Sequence, residues 1–214
     1  MANDVSALTT KIIRDLSRGD LSISDALIPY IQSTVLDYEE TRLYFNEQQI
    51  SLTISLTNTY ALSLFATAGS VADIIEVDRD GVRVTVNGRN YGLKEKSWRV
   101  LANMNTGVGT MQGYPTDYSI FNQALQIFPQ PNATMTLTID AHVRFTELVN
   151  LSDSNPWTVE GRNLLRYGTC ARYTGAYLRD TAAAQMFTAA EQRSLASLLR
   201  RTEAMSGTTI PGSL

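Results

Sequence analysis

Apolar residues recur along this chain first with a helical period, then with a strand period, then with a helical one again. Val5, Leu8, Ile12 and Leu16 lie three or four positions apart, which predicts an amphipathic helix stopped by Gly19. A second helix is predicted from near Ser24, with Asp25 in its first turn. Leu27, Ile31, Val35, Tyr38 and Phe45 form its buried stripe, and Pro29 is acceptable only close to its start. Past Glu47 the period shortens to two. Ile50, Leu52, Ile54 and Leu56 alternate with polar residues, as in a strand with one face in water.

The middle third reads as β throughout, with a short helix over residues 96–104. Asp80-Gly81 and Asn87-Gly88 bracket the run VRVTV, and both dipeptides suit type I′ hairpin turns because they tolerate φ > 0. The clearest strand is TMTLTIDAHVRF. Met135, Leu137, Ile139, Ala141, Val143 and Phe145 face one way, while Thr134, Thr136, Thr138, Asp140, His142 and Arg144 form a polar face.

Helix returns after Trp157, with Thr158 as N-cap and Glu160 placed to favour the helix dipole. Gly161, Gly168, Gly175 and Ala182 then repeat in sevens, a seam of small residues that predicts close approach by another backbone. Thr188-Ala189-Ala190-Glu191 reads as a capping box opening a final helix, with Leu195, Leu198, Leu199, Thr202 and Met205 as its stripe and Gly207 as its stop. The order predicts an α+β fold. Its parts are N-terminal helices (1–48), an inserted antiparallel β-region (49–150), C-terminal helices completing one bundle (151–206) and a flexible tail (207–214).

At 214 residues the chain can bury about 70% of its unfolded surface without covalent staples. No run approaches the ~18 apolar residues of a membrane span, and no export signal is expected at the N-terminus. A single cysteine, Cys170, excludes an internal disulfide and fits synthesis in a reducing cytoplasm. The net charge of −3 argues against tight nucleic-acid binding. Residues 1–50 hold four basic and eight acidic side chains, whereas residues 151–214 hold seven and five, so the two ends differ in sign.

No catalytic or metal-binding constellation emerges. His142 is the one histidine, and its neighbour on the strand face is Asp140, but no serine sits in a nucleophile elbow. One histidine and one cysteine cannot make a zinc site. Asp73, Glu76, Asp78 and Asp80 lack the spacing of a calcium loop and read as a solvated acidic turn. NGRNYGLK has glycines and cations but reads as turn chemistry. Cys170 lies among Arg166, Tyr167 and Arg172 without a partner histidine, which predicts packing rather than reactivity. The chain therefore reads as no enzyme, with no cofactor and no metal.

One helical face does stand out. At 100° per residue Arg162, Arg166, Tyr173 and Tyr177 project together, opposite the glycine seam, and Arg and Tyr are enriched in protein–protein hot spots. The plainer alternative packs the tyrosines on the β-region and leaves the arginines solvated. If the face is an interface, a complementary surface exists on the acidic second helix, which carries Asp37 and Glu40.

Four phrases, in order, point further: TRLYFNE at 41–47, GYPTDYSI with the LQIFPQP turn within 113–131, SDSNPWT at 152–158, and EQRSLASLLRRTE in the last helix. Their order resembles that of the head-to-tail adaptor proteins of tailed bacteriophages. The chain departs from that pattern in its more polar first strands and in the three glycines of its penultimate helix. The resemblance implies a structural virion protein of the neck, a homo-oligomeric ring of dodecameric type below the portal protein. Such a ring continues the DNA channel, lets genomic DNA pass without specific binding, and docks a tail or nozzle protein. It also points to the portal as the partner of the tail residues Ile210, Pro211 and Leu214. The alternative from another class is a carbohydrate- or receptor-binding β-module of a phage tail, for which Tyr91, Trp98, Tyr114 and Tyr118 are the available aromatics.

Overall fold

The computed structural model of the protein describes residues 4–16, 24–106 and 111–206. Expectations that rest on Gly19 and on the tail from Gly207 fall outside them. The first stripe forms α1 (Val5–Asp15), with Val5, Leu8, Ile12 and Ile13 buried. The Asp4 carboxylate starts it by accepting the Ala7 amide at 2.8 Å, and the Val5 and Ser6 amides donate to the Asp153 and Leu151 carbonyls. Helix α2 (Ser24–Tyr38) ends earlier than its stripe predicts. Phe45 is not helical. It belongs to a turn in which Asn46 Oδ1 accepts the Leu43 amide at 2.7 Å, and it reaches the core from there.

The elements that follow are β1 (Glu47–Ile54), β2 (Thr59–Ala61), α3 (Leu62–Gly69), β3 (Asp73–Val77), β4 (Arg83–Val86), β5 (Arg89–Gly92), β6 (Lys94–Glu95), α4 (Trp98–Thr106), β7 (Gln112–Gly113), β8 (Asp117–Phe121), β9 (Ala124–Phe128), β10 (Gln130–Pro131) and β11 (Met135–Arg144). Helix α3 corrects the all-β reading of this stretch. Leu62, Phe65 and Ala66 are buried at helical spacing, and Gly69 lies where a Cβ would come within 2.7 Å of Ile50 on β1.

Strand β11 is the central strand of its sheet. It pairs over Met135 to His142 with β1 on one edge, and on the other with β4 and then β3, whose pairing carries a register shift between His142 and Val143. On its polar face Thr138 and His142 are buried, while Thr136, Asp140 and Arg144 stay part-exposed. Because β3 and β4 lie end to end along β11, Asp80-Gly81 is not a hairpin turn. Gly81 is small because a Cβ there would lie 2.8 Å from Asp140 Cβ. Asn87-Gly88 is a hairpin turn, with φ of 50° and 75°, joining β4 to β5. The second sheet runs β2-β9-β8-β6, and Asn122-Gln123 turns β8 into β9 with φ of 49° and 59°. Pairing is antiparallel except for β6 with β8 and β7 with β10.

The chain re-enters helix through α5 (Pro156–Val159) and α6 (Arg162–Tyr173), then a π-helical turn (Thr174–Leu178) and α7 (Thr181–Ser206). Asn155, not Thr158, is the N-cap of α5. Its side chain accepts the Trp157 amide at 3.0 Å, while Thr158 closes the reciprocal bond of a capping box. Thr188 likewise starts no helix, because it lies inside α7 and donates its hydroxyl back to the Ala184 carbonyl at 2.9 Å.

The polypeptide divides into two compact units: Met1–Asn46 with Phe145–Leu214, and Glu47–Arg144. In the first, α6 packs against α1, α2 and α7. Helices from both chain ends thus form one bundle, and mainly antiparallel strands form the inserted unit, an α+β fold.

Candidate interaction surfaces

The glycine seam meets a neighbour at one position above all. A Cβ on Gly168 would lie 2.5 Å from Thr34 Cγ2 of α2 and 2.6 Å from Glu191 Oε1 of α7, so both helices close on this point. Arg172, one turn on, donates to the Gly168 carbonyl and to Glu191 Oε1 at 2.9 Å each, and its other nitrogen binds Asp37. Tyr38 donates its hydroxyl to Glu191 at 3.0 Å. A charged knot thereby ties α2, α6 and α7 together.

The Arg/Tyr face is largely spent inside the subunit. Arg166 makes a two-point ion pair with Asp15 of α1. Tyr173 is 2% exposed and packs edge-on against Tyr30 with ring centroids 5.5 Å apart. Neither is available as an interface anchor. Helix α6 has neighbours on several sides, so the face opposite the glycines is covered too. Arg162 is half-buried, and Tyr177 stacks on Tyr173 at 5.0 Å while staying 64% exposed. Asp37 is held by Arg172, whereas Glu40 is exposed. Ile210, Pro211 and Leu214 lie outside the described residues.

Three phenols sit beside carboxylates or in the core. Burial, aided by Glu191, pushes Tyr38 up to about 12, and burial with Glu160 does the same for Tyr44. Tyr118 reaches about 12 through burial together with Glu95 and Asp80. All three are raised from an ordinary 10, so below pH 10 they are protonated in folded and unfolded chains alike. Between pH 10 and 12 only the unfolded chain releases these protons, and stability falls as pH rises through that window. Burial also raises Tyr60, so absorbance titration at 295 nm should show at least Tyr38, Tyr44 and Tyr118 among the ten tyrosines ionising about two pH units later in the native protein than in guanidinium. Coincident titrations would refute it.

Cys170 and Asp140, weighed for chemistry, are packed and paired respectively. Burial raises the Cys170 thiol to about 12, which leaves it a core residue. Asp140 is engaged by Arg83 at 2.7 Å and Gln49 at 3.0 Å. Among the described residues no group of three or more His, Cys, Asp or Glu could hold a metal ion, and no helix is long and apolar enough to cross a membrane.

In the β-unit, Tyr118 is buried and donates its hydroxyl to the Arg79 carbonyl, and Trp98 stacks on Phe121 at 5.2 Å. Tyr91 and Tyr114 are 50% and 56% exposed and line one groove of about 850 Å³ with Arg89, Lys94 and Lys96. The stretch NGRNYGLK, whose pattern predicts turn chemistry, thus supplies Arg89, Tyr91 and Lys94 to a groove.

No curated protein matches the chain significantly. The family described as SU10 adaptor protein matches residues 3–211, through both units and both sets of bundle helices. The chain belongs to the SU10 adaptor protein family, phage structural adaptors rather than enzymes.

Proposed function

We propose that this protein is a head-to-tail adaptor that assembles as a dodecameric ring below the portal, continues the DNA channel and docks a tail or nozzle protein. The observation that carries this reading is the family match over residues 3–211. The charge is compatible with it: a chain of net −3 has no overall excess of cations to draw passing DNA phosphate onto the ring. In this role the tail residues Ile210, Pro211 and Leu214 contact the portal. The subunit contact is heterologous, so a different surface of each copy meets the next. With Tyr173 and Arg166 committed inside the subunit, Tyr177 and Arg162 carry one side of it and Glu40 belongs to the other.

Purified protein added to portal should give twelve-fold rings in negative stain. Tyr177→Ala with Arg162→Glu should keep the melting temperature within a few degrees yet prevent ring completion on portal. Complete rings from the variant would exclude this face as the subunit contact, and a wild type that forms no ring on portal would overturn the function itself. A carbohydrate- or receptor-binding role for the β-unit remains a second reading through Tyr91 and Tyr114 alone, since Tyr118 is buried and Trp98 is stacked on Phe121.

A further inference from the structure

The groove beside β5 has a built character that the adaptor role does not require. Its floor is one face of the β4–β5 hairpin: Val84 pairs with Tyr91 and Val86 with Arg89, so these four side chains point the same way. The facing wall is the segment from Tyr114 to Asp117 that leads into β8.

Arg89 and Lys94 are exposed and have no carboxylate partner among the described residues. The one acid in the lining, Asp117, already accepts the Thr116 hydroxyl at 2.7 Å and lies 3.9 Å from Lys96. A protein of net −3 thus concentrates positive potential at a concave site that also holds two exposed aromatic rings.

Strand β5 ends its sheet, and all four of its residues are exposed. The Leu93 amide donates to the Val82 carbonyl at 2.9 Å, which sets the phase of the hairpin ladder. Arg89 and Tyr91 therefore bond to β4, while the backbone groups of Asn90 and Gly92 point away from it. Nothing lies within 4 Å of where a Cβ on Gly92 would sit. An extended chain can add there as a strand.

We propose that this groove captures an extended acidic segment of a partner protein. Its backbone lies along the free edge of β5, its carboxylates meet Arg89 and Lys94, and an apolar side chain inserts between Tyr91 and Tyr114. A neutral glycan fits less well, because sugar hydroxyls want free carboxylates and amides, whereas this lining offers three cations, Asn87 and an Asp117 already engaged by Thr116. Nucleic acid is the competitor that the two tyrosines leave open, through base stacking. The proposal does not depend on ring formation, so its test can fail without touching the adaptor reading, and the reverse.

The probe is a fluorescein-labelled poly(Glu,Tyr) copolymer, followed by anisotropy on the full-length protein, with labelled oligo-dT as the second arm. The copolymer should bind, more weakly as salt rises. Arg89→Glu with Lys94→Glu should lower its affinity at least about ten-fold, and Tyr91→Ala several-fold. All three residues are exposed, so circular dichroism and melting temperature should stay as in the wild type. The proposal is overturned if the copolymer fails to bind at micromolar protein, if the charge reversal leaves its affinity unchanged, or if oligo-dT binds in its place.

Discussion

Trp157→Ala should remove about 3–5 kcal/mol from the helical unit, the range for truncating a large aromatic in a packed core. Trp157 is 2% exposed and meets Phe45 edge-on, with centroids 5.0 Å apart and an interplanar angle of 82°. Gly161 sits so close that a Cβ there would lie 2.9 Å from Trp157 Cε3, and atoms packed this tightly cannot collapse into the space left behind. Phe45 lies in the turn that follows the N-terminal helices and Trp157 in the short helix that opens the C-terminal ones, so their contact closes the bundle across an excursion of some hundred residues. Urea unfolding followed by far-UV circular dichroism measures the effect. A loss below about 1 kcal/mol would mean that the site relaxes around the missing indole and that the bundle does not depend on this contact.

Arg172→Met should be nearly as damaging for a different reason. Glu191 has a side chain only 7% exposed, and its partners are Arg172 and Tyr38. Removing the guanidinium leaves a buried carboxylate with one phenol and opens the tie from α6 to Asp37. The expected loss is about 3 kcal/mol, the low end for breaking a buried pair because the Arg172 side chain keeps 23% exposure. Adding Glu191→Met should recover part of the loss, since two apolar side chains no longer strand a charge. If the double variant is less stable than the sum of the single ones, the knot is held by packing at Gly168 rather than by charge.

Periodicity carried most of the architecture. The α1 stripe, β11 and the Asn87-Gly88 turn were legible because each depends on local pattern or on a backbone conformation that few residues tolerate. What was illegible depends on partners distant in sequence. Residues 62–69 pass for β within a strand-rich region, and only the buried spacing of Leu62, Phe65 and Ala66 marks α3. The break before α7 falls at Arg179, left-handed with φ of 54°, a residue that gives no warning of it, whereas Thr188 to Glu191 mimics a helix start deep inside α7. The Arg/Tyr face failed for a related reason. Projection at 100° per residue assumes a regular helix with one buried side, but a π turn follows Tyr173 and α6 is enclosed by three helices. The groove lay hidden because Tyr91 and Tyr114 belong to segments that only the fold brings together.

Glu47, the first residue of β1, stands opposite His142 near the end of β11. The chain thus enters and leaves the β-unit on adjacent antiparallel strands, with facing Cα atoms about 5 Å apart. That separation is small enough for a tight turn to bridge, so residues 47–144 form a cassette whose two ends are neighbours. Genetic exchange that cuts near both joints can replace the cassette and leave the host bundle's chain continuous. A lineage carrying this layout can renew one half of the protein by recombination while the other half keeps its own packed core.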